Sequence, residues 1–431
     1  MAENGQQLRF ESLSIHAGQD VYSGTGAVTV PVFASTSFVF NSSAHGADIF
    51  AGREEAYAYS RLANPTVAVF EQRIAALEGG VSALAASSGQ AARWMAIAGL
   101  AAASDNIVSA STISEEAYTQ FRYRFPSQGI SVKFIDVEDA DVLRNAIDDR
   151  TKAVYVESVS SVGLSVADIE AISAIAHEAG VPLVVDNTPG AGGYLCRPID
   201  HGADIVIHSA SERLGGLGHA IAGAIVDSGK FPWNVHARRF LHLTEPAPGY
   251  HGMKFWEKFG DKAYIFYVRS ALLRDAGPCL NPFAAFSLLA GMETLSVRMD
   301  RHSGNALALA RWLEGHEKVA WVVYPGLPSH PSFERAKRYL RNGFGGLLFF
   351  RLAAGDEASQ AAMRKFKLVR NADGIGTTQT LVHYHRVATG SYVQESPSQQ
   401  SDHNTAAMRV SVGLEHIDDI IEDFRQALAC V

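Results

Sequence analysis

Three stretches of this sequence carry side chains suited to gripping an anion and moving a proton beside it. The first runs from Asp204 to His219. An apolar run over 205–207 reads as a buried strand. It gives way to hydroxyls at Ser209 and Ser211, then to Glu212, then to a turn containing Gly215, Gly216 and Gly218. Glycines in such a turn let a ligand approach the backbone closely. Glu212 can take up or deliver a proton, especially where burial raises its pKa. His219, seven residues on across the turn, is a candidate partner for it. The second stretch is Ser87-Ser88-Gly89-Gln90, small residues leading into an alanine-rich helix. The free N–H groups at such a helix start make an anion site, and a serine there also serves simply as a cap. The third is Tyr59-Ser60-Arg61. A guanidinium offers forked, charge-assisted bonds to a phosphate, and a solvated pair is the plainer alternative. Glu212, His219 and His385 lack the ligand spacing of structural zinc sites, so no metal is expected.

These groups need a scaffold that brings them to one place. Short apolar strands are expected at 106–110, 153–156, 181–186 and 205–207, with helices at 67–77 and 168–177 among them. Strands alternating with helices give a mostly parallel sheet, and ligands then sit beyond the carboxyl ends of the strands. Ser109, Glu157, Asp186 and Ser209 would share that rim. Asp186 also reads as the cap of the turn that follows it. Further on, helices are expected at 282–298 and 301–315 and strands at 319–324 and 345–352. The Pro- and Gly-rich segment 240–260 reads as a long loop of the kind that often serves as a lid.

Bulk properties narrow the partners. The chain has 431 residues, 47% of them apolar, and a net charge of −8. That length allows two or three domains. The charge is spread without long runs of one sign, which argues against nucleic acid and anionic membrane as partners. Cys196, Cys279 and Cys430 are scattered and form no CxxC pair, as expected of free thiols in a reducing compartment. Residues 1–10 lack an apolar signal core, and no purely apolar stretch approaches the roughly 18 residues of a membrane span. A cytoplasmic location is the expectation.

The segment His208-Ser209-Ala210-Ser211-Glu212-Arg213-Leu214-Gly215-Gly216-Leu217-Gly218-His219 resembles the cofactor-lysine segment of the Cys/Met-metabolism family of pyridoxal-phosphate (PLP) enzymes, the O-acetylhomoserine sulfhydrylase branch above all. That branch reads His-Ser-Ala-Thr-Lys-Trp-Ile-Gly-Gly-His-Gly-Thr. Ser88-Gly89-Gln90, Tyr59-Ser60-Arg61 and Tyr324-Pro325-Gly326-Leu327-Pro328 extend the resemblance over nearly the whole chain. It implies an α/β fold of type I, with a large domain built on a mostly parallel sheet and a smaller C-terminal α+β domain. It also implies an arm over 1–60 that wraps a neighbouring subunit, a large domain over 61–270, a C-terminal domain over 271–431, and a homotetramer built as a dimer of dimers. Ser88, Gly89, Gln90, Ser209 and Ser211 would cup the cofactor phosphate, joined from across the dimer by Tyr59 and Arg61. Asp186 would face the pyridine nitrogen, and Arg409 would clamp the carboxylate of an amino-acid-like substrate.

Four positions depart from the family pattern. Glu212 stands in the place of the Schiff-base lysine and cannot form an imine. Ser114 stands for the tyrosine that stacks on the ring, and Ser161 for an asparagine that binds cofactor and substrate oxygens. The substrate-facing segment that starts at Thr380 and runs to 390 is rewritten and includes His385. Lys230 has its own counterpart in the family and is no substitute. Three functions follow as expectations. One is an enzyme of β- or γ-elimination or replacement that binds PLP or its pyridoxamine form (PMP) non-covalently, with Glu212 as acid and base. Another is a cofactor-free enzyme that uses the cup for an anionic substrate, with Glu212 and His219 as the acid–base pair. The last is a non-catalytic subunit that completes the site of a lysine-bearing partner.

Overall fold

The structure is a computed structural model, and it describes residues 8–20, 22, 24–54, 56–386 and 406–431. Seven strands make the larger sheet: β1 (Ser82–Ala86), β2 (Asn106–Ala110), β3 (Ser131–Ile135), β4 (Thr151–Glu157), β5 (Leu183–Asp186), β6 (Ile205–Ser209) and β7 (Gly223–Asp227). Their order is β1-β7-β6-β5-β4-β2-β3. Only β7 runs against its neighbours. The others are parallel, as the alternation of strands with helices predicts. The central strands are apolar along their whole length, with Val154, Val156, Val184, Val185, Val206 and Ile207 all buried. Parallel sheets covered by helices on both faces need that composition. Pairing sets Glu157 of β4 level with Asp186 of β5, so two carboxyl groups sit side by side at the sheet's carboxyl edge.

The second sheet has five strands: β8 (Val319–Val323), β9 (Leu347–Leu352), β10 (Arg370–Asn371), β11 (Leu381–Arg386) and β12 (Ala406–Ser411). They run in the order β10-β11-β12-β9-β8. It has its own core, in which Leu348, Phe350, Val410 and Phe424 pack together. The helix Leu295–Glu314 serves both cores. Leu295 and Met299 lie in the larger one, whereas Ala306, Leu309, Ala310 and Leu313 lie in the smaller.

This helix also corrects an expectation. The break expected between 298 and 301 falls instead at Thr294, between the helices Pro282–Glu293 and Leu295–Glu314. The cause is tertiary. Gly291 packs so tightly that a Cβ there would lie 2.3 Å from the carbonyl oxygen of Gly215. Arg298 is buried and stays helical to reach three carbonyls, those of Arg213, Leu214 and Gly291. The segment 240–260 differs as well. It forms short helical turns, Leu241–Thr244 and Phe255–Phe259 among them, anchored by buried Leu243 and Phe255.

The amino-terminal stretch docks in part on its own chain. The helix Phe10–His16 sets Phe10 against the ring of Tyr194 at 5.0 Å, and buried Arg73 donates to the carbonyl of Ala17 and to Gln19. Val28 and Val39, by contrast, are 83% and 94% exposed. Residues 387–390 of the segment expected to face the substrate, and the side chain of His385, lie outside the described residues.

Candidate active site

A cavity of about 990 Å³ opens at the carboxyl edge of the larger sheet and reaches the smaller sheet. Its polar floor comes from four places in the chain: the start of the helix Gly89–Ala98, the end of β4, the end of β5 and the end of β6.

At the helix start, the Ser88 hydroxyl accepts the N–H of Ala91 at 3.1 Å. Ser88 is therefore a cap, as its residue type allows. The N–H groups of Gly89 and Gln90 in the first turn have no carbonyl of their own helix to bond. A Cβ on Gly89 would stand 2.7 Å from that of Ser209. The close approach of helix to β6 thus requires glycine. It brings Ser88, Gly89, Gln90, Ser209 and Ser211 to one wall of the cavity. The Ser211 hydroxyl is fixed by the backbone of Ala222, whose N–H it accepts at 2.9 Å.

Asp186, at the end of β5, is held by a set of donors. Its Oδ1 accepts the N–H of Thr188 at 3.1 Å and the Thr188 hydroxyl at 2.6 Å. The same hydroxyl accepts the N–H of Ser209 at 2.8 Å, tying β5 to β6. Next to it, Glu157 accepts the N–H of Ser114 at 2.8 Å and that of Ser161 at 2.9 Å. One buried carboxyl therefore positions both serines at the cavity wall. Burial, with Asp186 adding to it, pushes the Glu157 carboxyl above its ordinary range.

Glu212 projects into the cavity with its side chain about a quarter exposed, at 26%. Its Oε2 has no hydrogen-bond partner among the described residues. The guanidinium of Arg213 stands 3.8 Å away. Burial pushes the Glu212 carboxyl up to about 7; Arg213 and Ser209 oppose the shift, and Asp186 and Glu116 add to it. On the far wall Arg409, from β12, donates to Asp373 at 2.5 Å, and its Nε is buried with no partner among the described residues.

Glu212 therefore makes stability depend on pH. The unfolded chain releases this proton near the ordinary value of 4.5, and the folded chain keeps it to about 7. The folded state binds more protons in that window, so its stability falls as pH rises through it. Glu212→Gln is expected to be more stable than the wild type at about pH 8, by up to about 3 kcal/mol, and equal to it at about pH 4. Urea midpoints at the two pH values check this; a gap that does not change with pH would rule it out.

Four expected site positions are not brought to the cavity. His219 is exposed, because Gly216 and Gly218, both at positive φ, swing the chain outward before it. The expected Glu212–His219 pair is not formed, and Arg213 is the charged neighbour instead. Thr380, directly before β11, is buried, and its hydroxyl donates to Glu415 at 2.7 Å and accepts the N–H of Gly413. It is a structural link rather than part of the cavity wall. Tyr59 and Arg61 also lie away from the cavity of their own chain. Arg61 covers the Tyr59 ring at 5.5 Å and donates to the carbonyl of Arg274. Nor does the segment 240–260 line the cavity. Lys230 donates to the carbonyl of Ile199 and lines a separate cleft.

Sequence reading missed Arg93 and Arg213, both at the cavity and both nearly buried. A single arginine inside an alanine-rich helix was a signal for Arg93. For Arg213 the signal was the charge directly after Glu212.

PLP can be tested against these residues. Its phosphate fits the first-turn N–H groups beside Ser209 and Ser211, and the unpartnered Nε of Arg409 fits a carboxylate. Glu212 offers no amine to an aldehyde, so the fit is that of a ligand held without a covalent bond.

The family model for Cys/Met metabolism PLP-dependent enzymes matches residues 11–429. The chain is 50% identical over 419 residues to a homocysteine synthase of Schizosaccharomyces pombe, covering 97% of this chain and 98% of the relative. It is 44% identical over 423 residues to O-acetyl-L-homoserine sulfhydrylase 1 of Thermus thermophilus, covering 98% and 100%. Among solved structures, a putative O-acetylhomoserine (thiol)-lyase of Campylobacter jejuni, which carries N′-pyridoxyl-lysine-5′-monophosphate, superposes with a TM-score of 0.91. Its identity is 31%, over 98% of this chain and all of that one. The metB protein of Corynebacterium glutamicum superposes with a TM-score of 0.81 at 30% identity, over 100% and 99%. The chain belongs to the Cys/Met metabolism family of PLP-dependent enzymes, and its two sheets are the α/β architecture of fold type I.

Proposed function

We propose that this chain binds PLP or PMP without a covalent link and carries out elimination or replacement at the β or γ carbon of an amino acid, with Glu212 as acid and base. The observation that carries this reading is the state of Glu212: an unpartnered carboxyl oxygen in the cavity of a PLP-family fold, with a pKa of about 7. When bound, the cofactor supplies conjugation that spreads charge from the substrate's α carbon.

The chain's own groups do the rest. The N–H groups of Gly89 and Gln90 and the hydroxyl of Ser209 hold the phosphate, beside Ser211, whose own hydroxyl is tied to the N–H and carbonyl of Ala222. Arg409 takes the α-carboxylate through its free Nε side. Glu212 removes the α proton and delivers a proton to the leaving group, and a pKa near neutrality suits both tasks. Ser114 and Ser161, fixed by Glu157, border the substrate. Tyr59 and Arg61 serve the cup of a neighbouring subunit in a homotetramer, with the arm over 1–60 wrapping that neighbour. The division into 61–270 and 271–431 is part of this proposal, although the larger core also takes in Leu288, Met292, Leu295 and Met299 from beyond residue 270.

The test adds PLP and then a panel of amino acids to the purified protein while its absorbance is followed. Retained PLP and a spectral change with one amino acid are expected. Glu212→Gln should keep the bound PLP and lose about 10²–10⁴-fold in turnover. Unchanged turnover would remove Glu212 from its role, and absence of any retained PLP would end the reading.

One observation favours a cofactor-free enzyme as a second reading. Asp186 is satisfied by protein donors without a pyridinium. The cup would then hold a phosphate or carboxylate of the substrate itself. Glu212 would act without His219, which faces away. Turnover by protein stripped of PLP separates the two.

A further inference from the structure

Arg93 stands one turn into the helix whose start forms the phosphate cup, and its side chain is 9% exposed. Each of its three nitrogens is used. One terminal nitrogen donates to Oδ2 of Asp186 at 3.1 Å, the other to Gln90 at 2.9 Å, and Nε donates to the Tyr155 hydroxyl at 3.0 Å. That hydroxyl in turn donates to the same Oδ2 at 3.2 Å. Thr188 supplies two donors to Oδ1. A carboxylate accepts about four hydrogen bonds, and Asp186 already has four. Its charge is neutralised by a guanidinium that has no other acid within ion-pairing distance among the described residues.

An acid keeps a pyridine nitrogen protonated by accepting its proton's hydrogen bond and by opposing its positive charge. Asp186 has little left for either task. A ring bound beside it would also meet the field of Arg93, and a second positive charge close by in a buried site is disfavoured. Resting on the non-covalent reading above, we infer that Arg93 takes Asp186 out of service as a proton-holding partner, so that a pyridoxal ring in this cavity stays unprotonated at its nitrogen. Arg93 is then a positioning residue that sets how strongly the ring withdraws electrons, without itself touching the reacting atoms. A neutral pyridine withdraws less than a pyridinium, which leaves more of the proton chemistry to Glu212.

The experiment uses PLP labelled with ¹⁵N at the ring nitrogen, added to the full-length protein. Binding is measured by equilibrium dialysis, and the nitrogen shift of the bound form by NMR across the neutral range. Titration of free PLP gives the two reference shifts, protonated and neutral. The wild type is expected to show the neutral shift throughout. Arg93→Gln, which keeps a hydrogen-bonding side chain but frees the Asp186 charge, is expected to move the signal toward the protonated reference. Arg93→Lys keeps the charge and should stay near the neutral one. A protonated shift in the wild type overturns the inference by itself, whether or not either variant folds, while leaving non-covalent binding intact. No retained label in the wild type overturns the non-covalent reading, and this inference with it.

Discussion

If this chain holds PLP without a covalent link, as proposed, Glu212→Lys is expected to turn it into one that carries the cofactor covalently. Borohydride treatment of the variant with PLP should yield a single modified lysine at position 212, found by peptide mass spectrometry, and the wild type should yield none there. The cavity supports the reaction. The side chain at 212 projects into it beside the anion cup. An amine placed there would meet Arg213, whose nitrogen lies 3.8 Å from the present carboxyl. Burial and a neighbouring positive charge both lower the pKa of a lysine. A larger share of the amine is then neutral and able to attack an aldehyde. Arg213 is also relieved of its acid, which costs stability. It still donates to the carbonyl of Thr188 at 3.2 Å, so the loss should stay small beside the gain in retention. Failure to trap any adduct at 212 while PLP still binds would mean that the carboxyl does not face the aldehyde carbon. The acid–base role assigned to Glu212 would fall with it.

The second large effect concerns the support of that residue. Arg298→Met is expected to destabilise the protein by about 3–5 kcal/mol, read as a lower urea midpoint with an unchanged slope. Arg298 donates to the carbonyls of Arg213 at 2.8 Å, Leu214 at 3.2 Å and Gly291 at 2.7 Å. A hydrogen bond from a charged donor contributes about 1.5–3 kcal/mol, and an acceptor left buried and unpaired costs about 1–3 kcal/mol. Set against this is the cost of burying a guanidinium that has no acid within ion-pairing distance among the described residues. That burial is enough to bring its pKa down to about 10, and methionine recovers it. Three bonds outweigh one desolvation, so the sign is a loss. The site should suffer further, since those carbonyls fix the turn that begins at Glu212. A variant as stable as the wild type, with PLP binding unchanged, would show that the turn is held by its glycines alone.

Much of the scaffold was legible because local patterns encode it. The strand at 106–110 matches β2, and the helix expected at 67–77 lies inside Pro65–Glu78. Asn64 before it accepts the N–H groups of Thr66 and Val67 as a cap. The rule that strand carboxyl ends converge also placed Glu157, Asp186 and Ser209 at one cavity. Periodicity and capping act over a few residues, so one sequence shows them. The glycine turn after Glu212 was visible for the same reason, because residues at positive φ favour glycine.

What remained hidden depends on partners far apart in the chain. Arg93 meets Tyr155 and Asp186 at separations of 62 and 93 residues, and no local pattern announces such a pairing. Thr380 looked like a site residue until Glu415 and Gly413 closed around it. His219 looked like a partner for Glu212 until the direction of the glycine turn sent it outward. By itself the sequence determined the α/β alternation, the capped helix start at Ser88 and the acid at position 212, since residue type and short-range spacing suffice for those. Only the tertiary structure decided which charges face one another in the cavity. A buried carboxyl takes its protonation and its role from whatever packing places beside it.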